Sequence, residues 1–138
     1  MTTSQRLKLA VIAAIDEAKP DELISVVDSQ SRSDIVLPVI AVSIDSASAF
    51  NEALQVVEEI SVVATLRIHA GDDDEETTGE WIDTIESQFS DGDQIIAAAT
   101  ELLRIYSWVY HGSTQQWDEN ILEVTFSATS LCARLPDI

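Results

Sequence analysis

Positive charge, cysteine, glycine and proline are all scarce in this chain, and it has no long apolar run. Its 138 residues include 7 Lys+Arg against 25 Asp+Glu, a formal net charge of −18. That balance excludes attraction to nucleic acid as the main function, because phosphates are repelled. It excludes an anionic membrane surface for the same reason. A single cysteine, Cys132, rules out an intrachain disulfide framework. Four Gly and three Pro leave no room for a flexible low-complexity linker. The apolar run Leu9 to Ile15 is followed at once by Asp16, Glu17 and Lys19. It is far shorter than the ~20 residues of a membrane helix, and no small-x-small cleavage site follows it, as a secretory signal requires.

What the chain does have is core material. Hydrophobic residues make up 46% and charged residues only 23%, and a chain of this length buries roughly two thirds of its unfolded surface. One domain is expected over 1–138, with residues 132–138 as an extension beyond the last strand.

Leu7, Val11, Ile15 and Ala18 recur at nearly helical spacing until Pro20, which predicts a helix over 3–19. Residues 22–28 are rich in β-branched side chains and read as a strand, with a polar turn at 29–34. A second strand is expected at 35–45, with Pro38 at an edge, a strand start or a bulge, because it lacks an N–H. Residues 46–56 fit either a helical turn or the long tip of a hairpin. The clearest strand is 59–70, where Ile60, Val62, Ala64, Leu66, Ile68 and Ala70 alternate with more polar neighbours. Such alternation fits an antiparallel sheet covered on one side.

Gly71 ends that strand, and Asp72 to Glu76 read as a solvated loop. Thr77 and Glu80 have capping-box spacing, ahead of a helix with Trp81, Ile82, Ile85 and Phe89 on one face. Asp91-Gly92 breaks it, and Asp93 is placed to cap a second helix running through Ile95, Ile96, Ala99, Leu102 and Leu103. A strand at 105–110 puts Tyr106, Trp108 and Tyr110 on one face. A turn at 111–119 leads to a last strand at 120–131, with Leu122, Val124, Phe126 and Ala128 facing one way. The fold class is therefore α+β: four to five mostly antiparallel strands with two to three helices on one face.

Chemistry is hard to assemble from these residues. His69 and His111 lie in no ligand spacing, and Cys132 has no local His to activate it and reads as a small buried residue. The five carboxylates at 72–76 lack the alternating ligands, central Gly and distal Glu of a calcium loop. No enzyme, metal or cofactor is expected. Charge is the feature that stands out. Between Arg67 and Arg104 lie eleven acidic residues and no basic one, while Arg6, Lys8, Lys19 and Arg32 fall in the first quarter. This polarity makes Arg6, Lys8, Arg32, Arg67 and Arg104 candidates for basic contacts to an acidic patch of the next subunit, head to tail.

The order of elements, with three stretches, resembles the tail terminator proteins of long-tailed bacteriophages, the lambda-type minor tail protein U group. The stretches are LPVIAVSID at 37–45, EEISVVATLRIHAG at 58–71 with TGEWIDTIE at 78–86, and IYSWVYHGSTQQWDENILEVTFSATS at 105–130. The likeness runs from the first helix to about residue 131. It is a likeness of pattern, without a catalytic signature, and neighbouring neck and tail-completion proteins share it. It implies a virion protein, assembled in the host cytoplasm, that forms a hexameric ring at the tail–neck junction. The ring would end polymerisation of the tail tube and meet a neck or head-completion protein, with DNA passing through unbound. Asp72, Asp73, Asp74, Glu75 and Glu76 are then candidates for the channel or the neck-facing surface. The strong acidity and the residues after the last strand depart from the pattern. The competing expectation is an acidic DNA mimic that blocks a nucleic-acid-binding enzyme, although mimicry needs acids spread along an extended face.

Overall fold

A computed structural model describes residues 2–19, 24–28, 37–52, 55–69 and 75–135. Eight elements follow in order: α1 (Thr3–Ala18), β1 (Ser25–Asp28), β2 (Val39–Glu52), β3 (Gln55–His69), α2 (Glu75–Asp91), α3 (Asp93–Ala99), β4 (Leu103–Asp118) and β5 (Ile121–Arg134). The five strands form one sheet in the order β1-β2-β3-β5-β4. Among the described residues only the β1–β2 pair is parallel, and the three others are antiparallel. This is the expected α+β architecture.

Period two builds the core. Ile60, Val62, Ala64, Leu66 and Ile68 of β3 are fully buried, as are Val124, Phe126 and Ala128 of β5, with Leu122 nearly so. The helices cover this face with Leu7, Val11 and Ile15 of α1, Trp81, Ile85 and Phe89 of α2, and Ile95 and Ala99 of α3. The opposite face carries Ser61, Val63 and Thr65 on β3 and Thr125, Ser127 and Thr129 on β5, all half-buried. Its short side chains and hydroxyls suit a face that no described helix covers. Among the described residues, no helix is long and apolar enough to cross a membrane.

Several local expectations change. Residues 46–52 continue β2 and pair with β3 down to Glu52–Gln55, so the ambiguous segment is a hairpin arm. Pro38 sits immediately before β2, after a cis Leu37–Pro38 bond. α2 begins at Glu75. Glu75 and Glu76 are thus helical, and Thr77 is inside the first turn instead of capping it; carboxylates are favoured there by the helix dipole. The residue capping α3 is Gly92, not Asp93, because one residue of left-handed backbone joins α2 to α3. α3 stops at Ala99, so Leu102 lies outside it and Leu103 opens β4.

The expected turn at 111–119 is strand as far as Asp118, and Glu119 with φ +56° makes the reversal. β5 extends to Arg134, which draws Cys132 and Ala133, both buried, out of the expected C-terminal extension and into the sheet. The turn expected at 29–34, together with Ala70, Gly71 and residues 136–138, lies outside the described residues.

Candidate interaction surface

β4 is an edge strand sixteen residues long. One side pairs with β5 along its whole length; among the described residues nothing pairs with the other. The strand is held by its helix-facing side chains. Trp108 Nε1 donates to the carbonyl of Phe89 at 2.6 Å, satisfying one of the last carbonyls of α2, which have no partner within the helix. The indole also packs on Phe89, with ring centroids 5.8 Å apart, and Phe89 stacks in turn on Phe126. Tyr110 Oη donates to Glu86 Oε2 at 2.9 Å, and Ser113 Oγ donates to the same oxygen at 3.2 Å. Burial, with the adjacent Glu86 carboxylate, pushes the Tyr110 phenol up to about 12.

Two bulges shape this edge, at Tyr106 between Ile105 and Ser107 and at His111 between Tyr110 and Gly112. They re-aim side chains locally. Tyr106 is 47% exposed and does not share the packed position of Trp108. His111, expected to begin a turn, instead reaches across the uncovered face, with Nε2 2.6 Å from Thr129 Oγ1, which lies 3.1 Å from Ser61 Oγ. Val109 and Trp117 are 52% and 61% exposed. From Leu103 to Trp117 there is no acidic residue and one basic residue, Arg104. Natural edge strands are commonly blunted by charge, proline or shortness. The longest strand of a strongly acidic chain has bulges but little charge.

At the other end of the sheet, β1 covers only Val39 to Val42 of β2. Among the described residues, Ser43–Glu52 has no strand beside it on that side. This second open edge contains Asp45 and Glu52 and no basic residue.

The residues singled out by charge scatter. Lys8 is buried and pairs with Asp28 at 3.0 Å, tying α1 to β1 within the subunit. Arg6 Nη1 donates to the carbonyl of Leu102 at 3.0 Å, tying α1 to the start of β4. Arg67 pairs with Glu123 across β3 and β5 at 2.9 Å. Arg104 is exposed on β4. Arg32, Asp72, Asp73 and Asp74 lie outside the described residues, and Glu75 and Glu76 open α2. On the helices Asp16 and Glu17 of α1, Glu80, Asp83 and Asp91 of α2, and Asp93 of α3 are exposed; off them so are Asp45, Glu59, Glu101 and Glu119. Among the described residues no three His, Cys, Asp or Glu side chains group as a metal site. A cavity of about 540 Å³ lies between α1 and α3, lined by Glu17, Ala18, Gln94, Ala97 and Ala98, without the convergent polar groups of a ligand site.

No family model and no curated protein matches this chain. One solved structure similar to it is a chain from the virion of a native gene transfer agent particle, with a TM-score of 0.48 and 10% identity over 94% of this chain and 90% of that one.

Proposed function

We propose that this chain is a structural virion protein of a long-tailed phage that assembles with copies of itself into a ring, and that the ring ends the tail tube and joins the neck. The observation that carries the reading is a sheet with, among the described residues, an open strand edge at each end, one of them long and almost uncharged, in a chain too acidic to bind DNA. Open edges favour assembly through main-chain pairing, and a heterologous contact that closes makes a ring. The resemblance to tail terminators supplies the number of copies, six, and the partners, tail tube protein and neck protein. Carboxylates on the channel or neck surface, with Asp72 to Glu76 among them, keep passing DNA from sticking. The role is non-enzymatic and needs no metal or cofactor.

The test is assembly of the cognate tube protein with and without this chain. Wild type gives tubes of limited length, and a variant with all five residues from Asp72 to Glu76 replaced by Lys folds normally but impairs assembly or DNA passage. Unlimited tube growth with wild type present removes the terminator role; normal infectivity of the variant removes the role of the loop.

The exposed acids of the helical layer favour a second reading, the DNA mimic. That protein acts as a monomer or dimer and binds a nucleic-acid-binding enzyme in competition with DNA.

A further inference from the structure

We infer that the ring is closed edge to edge: β4 of one copy pairs antiparallel with the open half of β2 in the next copy, making the sheet continuous between subunits. This rests on the ring reading and specifies its contact.

The register carries the inference. Ser46 pairs with Ser61, Ser61 with Thr129, and Thr129 with Val109. Ser48 reaches Ser107 in the same way through Glu59 and Leu131, and Ser43 reaches Gly112 through Val63 and Ser127. Ser43 to Ala49 of β2, which β1 leaves uncovered, therefore stands level with Gly112 to Ile105 of β4, on the opposite edge of the same sheet. A second copy turned about an axis parallel to these strands brings the two edges together with no slide along them. Direction agrees too. β2 runs with β5, and β4 runs against β5, so the new pair is antiparallel and continues the alternation.

Charge agrees as well. Ile105–Gly112 contains no acid, whereas Ser43–Ala49 contains Asp45 and no Lys or Arg. In a chain of net charge −18, this is a contact where like-charge repulsion is absent. The match of height also bears on closure, because a contact without slide gives the assembly no built-in shear between neighbours. The other short-range option, β4 against β4, leaves the β2 edge unused.

The experiment is disulfide trapping of the full chain with Ser46→Cys and Val109→Cys together. Both positions are exposed and share the uncovered face of the sheet. Within one chain they are three strand spacings apart, about 14 Å, beyond the ~7 Å reach of a disulfide. Between copies they become opposite neighbours at about 5 Å. Mild oxidation is expected to convert the double variant into covalent multimers. Either single variant, and the out-of-register pair Ser46→Cys with Thr114→Cys, stay uncrosslinked. Val109→Lys in wild type is expected to weaken association roughly tenfold without unfolding the subunit.

Failure of the double variant to cross-link, or a Val109→Cys dimer on its own, overturns the inference. Multimers seen by light scattering without the cross-link do so while leaving the ring reading intact. Cross-linked rings that do not limit tube growth keep the edge pairing and remove the terminator role.

Discussion

At Gly92 the backbone has φ +73°, and a Cβ built there falls 2.5 Å from Cδ1 of Trp108. The residue thus meets two demands, the left-handed junction between α2 and α3 and the space for the indole that anchors β4. Gly92→Ala is expected to cost roughly 2–4 kcal/mol, from the left-handed backbone and the overpacking together; equilibrium denaturation measures it. Tyr110 gives a pH signature. Its phenol is raised to about 12 by burial and by Glu86, above the unfolded value near 10. The folded state therefore holds this proton more tightly. The stability it contributes is complete below pH ~10 and falls as pH rises from 10 towards 12. Tyr110→Phe removes that part of the slope, and denaturation at alkaline pH reads it. Cys132 is fully buried, and its thiol is pushed up to about 11, first by desolvation and then by Glu58. It behaves as a small core residue, the role expected for it from its sequence context.

Among the elements, those that bury one face were the legible ones. The alternation in β3 and β5 and the helical spacing in α1 and α2 were visible because each set of apolar residues meets the same core. The hairpin arms lacked that signal. Gln115 and Trp117 lie on the helix side of the sheet, level with Val124 and Leu122, yet are exposed. The β4 edge runs out past the helical layer there, and with both sides in water no polarity pattern is imposed on Gln115, Gln116 and Trp117. Exposed Ser46, Ala47 and Ser48 on the β2 arm have the same problem. The open edges, which make up the candidate interaction surface, were illegible because an edge belongs to strand order and not to any single segment. Of the charged residues chosen from sequence, Lys8 and Arg6 act within the subunit, since sequence proximity of charge does not reveal which partner lies across the fold. Trp117 supplies the check on this picture. Trp117→Ser is expected to change folding stability by less than ~0.5 kcal/mol, whereas Phe126→Ala, in the core beneath Phe89, is expected to cost about 3–5 kcal/mol. Thermal unfolding of the two variants separates a protruding arm from a packed strand.

For the whole molecule, the question is how a chain at −18 associates with itself. Exposed carboxylates sit on the helices and at Asp45, Glu59, Glu101 and Glu119, while Leu103–Trp117 of β4 contains none. Repulsion between copies is then long-range and screened, with a Debye length near 8 Å at physiological salt. The attraction at the strand edges is short-range and little affected by salt. Association is therefore expected to strengthen as salt rises, the reverse of an assembly held by surface ion pairs. Molar mass in solution by light scattering, over a range of protein concentration and from low to high salt, tests this most directly. A species near six times 15.1 kDa that grows in population with salt is expected. A mass of 15.1 kDa at every protein and salt concentration contradicts it and leaves the DNA mimic as the better reading.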